Sequence, residues 1–324
     1  MYSSRCNLLL SLTILTAITV RAQVTERFIS HATYLSSDKL EGRGPGTSGS
    51  ILAAEYIQSK FREIGLEIPF ESGYFQEFLQ SESGVTERNV VGILRALSST
   101  EKSVVFTAHF DAYGIAEEGG AEDIIYNGAR DNAIGVAALI ELARMYVNSG
   151  RQNQNLVFVA TAAEEDGLVG SRYYTQHPVF ALEEITIVAN IDGFNVSGPR
   201  DDFFVMPRQG VDFVDDIVAE AGRRGWTYSP PDWIDTMNTN FDTAAFLLLG
   251  VPAFTLWTGN SIPEGVHITE PEFGSIHSPE DEINDTWDWS GVEAQLDLYK
   301  SITDYFLTDP GIISVQDPEL FRKE

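Results

Sequence analysis

Four short stretches of the 324-residue chain place imidazole or carboxylate groups where an apolar run ends or a helical pattern begins. His109-Phe110-Asp111 closes the run 103–109 (SVVFTAH), Glu164-Glu165 follows 156–162 (LVFVATA), and Asp192 follows 184–191 (EITIVANI). Asp131 stands just ahead of a helical pattern, in Asn127-Gly128-Ala129-Arg130-Asp131-Asn132. Imidazole nitrogen and carboxylate oxygen are donors that suit zinc, at about 2.0–2.2 Å. Two such ions, roughly 3.5–4 Å apart, need a carboxylate to bridge them and a hydroxide to share. Asp131 is the expected bridge, because a carboxylate at a helix start is held by local backbone bonds. Asp111, two residues beyond His109, is placed to accept the other ring N–H and fix the tautomer. Glu164, beside Glu165, is then available as general base toward water.

Taken singly, these signals are weak. His-x-Asp is structural more often than not, and Glu-Glu is usually a solvated helix start. Asp131 alone reads as a cap and Asp192 alone as a turn former. Their positions along the chain change the weighing. The runs 89–97, 103–109, 156–162, 184–191 and 251–257 are short, β-branched and nearly all apolar, as strands covered on both faces are. Helical patterns at 51–64, 134–146, 167–176, 211–224, 242–249 and 289–307 alternate with them. Gly65 is expected to end the first of these helices. Such alternation predicts an α/β sandwich in one domain, with a mixed, mostly parallel central sheet flanked by helices. Ligands of open α/β sheets bind beyond the carboxyl ends of the strands, so this topology brings the four groups to one edge.

Composition sets the outer bounds. The chain is 43% hydrophobic and 21% charged, with 19 Phe, 12 Tyr and 5 Trp, enough to fill a large core. A formal net charge of −27 argues against nucleic acid or an anionic membrane surface as partner. Residues 1–22 read as an export signal: Arg5, an uncharged apolar run over 8–20, then Val20-Arg21-Ala22 at the cleavage position. The run is short for a membrane span. The expectation is therefore an exported protein, periplasmic or secreted, with residues 23–324 as its mature domain and no membrane span after cleavage. Cys6, the sole cysteine, lies in that signal, so the mature chain has no disulfide and no thiol for catalysis or metal binding.

With these residues in place, the chain resembles the co-catalytic zinc exopeptidases of metallopeptidase family 28, a group that includes bacterial leucyl aminopeptidases. The resemblance runs from about Ala32 to Tyr305. It rests on the segments 40–47 (LEGRGPGT), 108–111 (AHFD), 127–135 (NGARDNAIG) and 162–171 (AAEEDGLVGS), then 190–192 (NID), 250–253 (GVPA) and 276–281 (IHSPED). The resemblance implies two zinc ions per chain: His109 and Asp192 on one, Glu165 and His277 on the other, Asp131 bridging. It also implies Glu164 as general base, Asp111 as the group orienting His109, and peptides as substrates. His277 comes from this likeness alone; His267 is set aside because only His277-x-x-x-Asp281 fits the motif. In one place the chain departs from the family: Phe241-Asp242-Thr243-Ala244-Ala245-Phe246 carries Thr243 where many relatives have histidine. That segment is expected to line the site, which puts the usual substrate preference in question. The expected activity is aminopeptidase. The alternatives are a carboxypeptidase or dipeptidase on the same centre, a one-zinc glutaminyl cyclase, and a non-catalytic binding domain on the same scaffold.

Overall fold

Val104, Val105, Phe106 and Ala108 are fully buried, as are Leu156 to Ala160, because helices cover both faces of these strands. The computed structural model describes residues 23–80, 84–116, 123–150, 152–308 and 311–322. The expected export signal over 1–22, with Cys6, lies outside the described residues. Strands β1 (Phe75–Leu79), β2 (Thr86–Leu94) and β3 (Ser103–His109) are followed by a two-stranded ribbon of β4 (Gly114–Ile115) and β5 (Ile125–Tyr126). Then come β6 (Asn155–Thr161), β7 (Ile185–Asn190), β8 (Asp202–Met206), β9 (Thr227–Tyr228) and β10 (Ala253–Thr258).

All but the ribbon form one eight-stranded sheet in the order β1-β2-β6-β3-β7-β10-β8-β9. The inner strands β6, β3, β7 and β10 run parallel, while β2 and β8 add to them antiparallel. The sheet is thus mixed and mostly parallel, as expected. His109 ends β3, with the carboxyl ends of β6 and β7 on either side of it.

Residues 23–35 form helix α1. It is followed by α2 (Ser48–Ile64), α3 (Ile134–Ser149), α4 (Val169–Gln176), α5 (Val214–Arg223), α6 (Thr243–Leu247) and α7 (Val292–Leu307). Helix α2 starts earlier than its apolar pattern suggests, because the Thr47 hydroxyl accepts the Ser50 N–H as an N-cap, and it ends at Gly65 with a φ of 92°. Helix α1 and strands β1, β8 and β9 were not anticipated. Strand β1 alternates buried and open positions over only five residues, too short a pattern to stand out.

Helix α1 docks through both apolar and ionic contacts. Phe28 packs on Phe194 and Trp289, with ring centroids 5.4 and 6.1 Å away. Arg27 donates to the fully buried Glu141 carboxylate of α3 from Nε at 3.0 Å and Nη2 at 2.7 Å, and His31 Nε2 lies 3.5 Å from the same group. Burial pushes the Glu141 carboxyl up, but His31 and Arg27 outweigh it and hold the pKa below the usual value. A depressed folded-state pKa means the stabilisation is complete above the unfolded pKa of about 4.3 and is lost as pH falls through the folded one. Glu141→Gln is therefore expected to cost about 2 kcal/mol at pH 7. In urea unfolding the gap to the parent should shrink below about pH 4; a pH-independent gap would contradict the ion pair.

Candidate metal centre

Strand β3 delivers His109, 1% exposed, to the carboxyl edge of the sheet, and the turns after β6 and β7 deliver Glu164-Glu165 and Asp192 beside it. His109 Nε2 lies 3.0 Å from Asp131 Oδ1 and 3.6 Å from Asp192 Oδ2. The other Asp131 oxygen, Oδ2, lies 2.9 Å from His277 Nε2, which in turn is 3.5 Å from Glu165 Oε1. The five side chains form two overlapping groups, His109–Asp131–Asp192 and Asp131–Glu165–His277, each able to offer one atom to a common ion. His267, in contrast, stands exposed and belongs to neither.

The residues fit a divalent cation on two grounds. His109 Nε2 and Glu165 Oε1 are buried without a protein hydrogen-bond partner of acceptable geometry, although each faces groups of the cluster. Removing polar atoms from water without a partner is costly, and a metal ion would satisfy both. The second ground is charge. Burial, together with Asp131, pushes Glu165 up to about 7, and burial raises Glu164 well above the carboxylate range. Burial also raises Asp192, against the pull of His109. For His109, burial works downward, but Asp192 and Glu164 overcome it and carry the ring well above its ordinary value. The hydrogen bond to Asp131 raises His277 in the same way. Burial works upward on Asp131 too, but the hydrogen bonds to His109 and His277 outweigh it and hold its carboxyl below the usual range. A divalent cation would offset the buried negative charge of such a cluster.

The supporting residues differ in part from expectation. Asp111 Oδ1 is 3.7 Å from His109 Nδ1, longer than a hydrogen bond, and its two oxygens accept the backbone N–H groups of Glu164 and Glu165 at 3.1 and 3.2 Å. Asp131 is not held by capping bonds at a helix start. It precedes α3 in an extended conformation (φ −125°, ψ 86°), and Asn132 Oδ1 takes the N–H of Gly135 in its place. Thr243 is fully buried in the first turn of α6, so it does not form the open wall of the site; its neighbour Asp242 accepts the Thr161 hydroxyl at 2.5 Å.

Two contacts were missed. The Tyr113 hydroxyl donates to Glu165 Oε2 at 2.8 Å, with its ring 5.0 Å from that of His277. Trp257 Nε1 donates to the Asp192 carbonyl at 2.6 Å; its ring stacks on Phe204 at 5.4 Å and meets a tilted Phe241 at 5.2 Å, giving the site an aromatic flank. A Tyr two residues past His-x-Asp offered a faint signal; Trp257, at the end of β10, offered the same strand-end position as the acidic groups.

The fold and cluster define an α/β protein with an imidazole–carboxylate cluster, a candidate metal centre, at the carboxyl edge of its sheet. Residues 89–302, well over half of the chain, match the profile of peptidase family M28, and the chain belongs to that family. It is similar to the probable lipoprotein aminopeptidase LpqL of Mycobacterium tuberculosis (strain ATCC 25618 / H37Rv), 26% identical over 239 residues, 69% of this chain and 45% of that protein. The chain spans less than half the length of the first curated relatives it matches. Among solved structures it is similar to BSAP, a zinc aminopeptidase from Bacillus subtilis, at 17% identity and a TM-score of 0.64, covering 87% of this chain and 94% of that one. It is also similar to the Porphyromonas gingivalis glutaminyl cyclase, at 16% identity and a TM-score of 0.59, covering 89% and 98%. At such identities the solved structures speak for the fold. Among the described residues, no helix is long and apolar enough to cross a membrane.

Proposed function

We propose that this chain is an exported zinc exopeptidase, an aminopeptidase, with residues 23–324 as its catalytic domain. One zinc would be held by His109 and Asp192, a second by Glu165 and His277, and Asp131 would be shared. The observation that carries the reading is the Asp131 carboxylate, whose two oxygens face two different histidines at 3.0 and 2.9 Å. When bound, the zinc pair would supply Lewis acidity toward water and a peptide carbonyl.

The protein groups do the rest. Glu164, 7% exposed, takes the proton from attacking water on a carboxylate oxygen and returns it to the departing amine nitrogen. Burial raises its pKa above the ordinary carboxylate range, which makes it a stronger proton acceptor than a solvated carboxylate. The surrounding carboxylates attract a free α-ammonium group, which confines cleavage to the N-terminal residue. The aromatic flank of Trp257, Phe241 and Phe204 favours an apolar side chain on that residue.

The test is metal analysis of the purified chain together with a panel of aminoacyl anilides and of acyl peptides with free carboxyl ends, with and without chelator. Two zinc ions per chain are expected, with anilide hydrolysis that chelator abolishes and added zinc restores. Hydrolysis untouched by chelator would overturn the reading. Similarity to a glutaminyl cyclase supports one rival; a metal content near one per chain, with cyclisation of N-terminal glutamine, would establish it instead.

A further inference from the structure

The loops that carry Asp131 and His277 lie outside the sheet, so strand pairing does not register them against the strand-end residues. Two buried side chains do so by gripping backbone. Asn132, fully buried, donates from Nδ2 to the carbonyl of Ile191 at 2.9 Å and accepts at Oδ1 the N–H of Gly193 at 2.9 Å. It thus holds the peptide on both sides of Asp192 while being covalently joined to Asp131. Asp281, 1% exposed, accepts the N–H of Arg130 on Oδ1 at 3.0 Å and the N–H of Asp131 on Oδ2 at 3.1 Å; its own carbonyl accepts that of Ala129 at 3.0 Å. His277 stands four residues earlier, its side chain 48% exposed and its φ a left-handed 58°, ahead of a turn closed by the Asp281 N–H on Ser278 O at 3.1 Å. Arg130 secures the same loop from outside, its guanidinium 4.3 Å from the Phe273 ring centroid.

We propose that Asn132 and Asp281 are positioning residues that divide the metal site between them. Asn132 registers Asp192 against Asp131, in the half completed by His109. Asp281 registers His277 against Asp131, in the half completed by Glu165. Bidentate hydrogen bonds to main chain fix both distance and orientation, and groups that orient metal-binding side chains govern affinity nearly as strongly as the ligands do. The inference rests on the two-zinc reading above.

The experiment is a zinc competition titration against a chromophoric chelator, with thermal unfolding of the metal-free proteins alongside. Asp281→Asn turns an acceptor into a donor facing a backbone N–H, and should weaken one zinc by about 10- to 100-fold while leaving the other unchanged. Asn132→Ser should weaken the other one by a similar factor. Double variants assign the halves. On a His277→Ala background Asp281→Asn should have no further effect on the remaining zinc, whereas on an Asp192→Asn background it should weaken it; Asn132→Ser should show the reverse. Equal weakening of both zincs, unchanged affinity, or simple additivity on the His277→Ala background would overturn the proposal. If Asp281→Asn does not fold, Asp281→Glu keeps both acceptors on a longer stem and should shift the same zinc alone. A parent chain that takes up a single zinc rejects the two-zinc reading itself, an outcome visible before any variant is compared.

Discussion

Glu164→Gln is expected to keep its metal and lose turnover by about 10²- to 10⁴-fold, the usual contribution of a positioned general base. The amide has nearly the shape of the acid, so the fold around it should not change, but it cannot take up a proton at neutral pH. Glu164 lies next to Glu165, and its backbone N–H is held by Asp111 Oδ1 at 3.1 Å; the substitution leaves that bond intact. The discriminating measurement is kcat beside zinc content. Loss of turnover at full zinc occupancy assigns the proton transfer to Glu164, whereas near-parental kcat would remove it from the reaction. Loss of zinc together with activity would instead make Glu164 part of the metal-holding set.

The second large effect is on folding. Arg43 is fully buried and donates to four main-chain carbonyls: Phe110 at 2.5 Å from Nε, Leu35 and Asn127 (2.7 Å) from Nη1, and Gly128 at 3.0 Å from Nη2. One guanidinium thereby joins the end of α1, the turn after His109 and the approach to Asp131. Burial lowers its pKa to about 10, which leaves it charged at neutral pH. Arg43→Met fills a similar volume but strands those carbonyls, at about 1–3 kcal/mol each before relaxation. Destabilisation of more than about 4 kcal/mol in denaturant unfolding is the expected outcome, and Arg43→Lys should recover only part of it, because an ammonium cannot match the planar fork. A loss under about 1 kcal/mol would show that the carbonyls find other partners.

What could be read from residues alone follows the physical range of each signal. The strands around 103–109, 156–162 and 184–191 announce themselves because both faces are buried, and the polar group that ends each run marks the carboxyl edge. His277 has no such marker. It lies on a loop with neither apolar period nor strand end, and only the likeness to a family of zinc exopeptidases picked it from five histidines. The segment around Arg43 reads as turn material, since its glycines and proline hide what the buried guanidinium does. Asn132 and Asp281 lie in motif segments, but what their side chains hold was invisible for a related reason. Their partners are backbone atoms up to 151 positions away, and backbone atoms leave no trace in residue types. Strand β8 (DFFVM) does carry an apolar run, but four such residues between polar loops do not separate strand from helix.

The placement of the five clustered side chains also has a consequence for motion. His109, Glu165 and Asp192 hang from the ends of strands laddered on both sides, the part of a protein that opens only in near-global fluctuations. His277 is borne by an exposed coil, whose excursions need only a few bonds to break. Amide hydrogens around 273–281 should therefore exchange well before those of β3 and β7, and the rim could let go while its foundation stays closed. Any ion held as proposed would then exchange through the loop, sparing the sheet beneath from having to unzip.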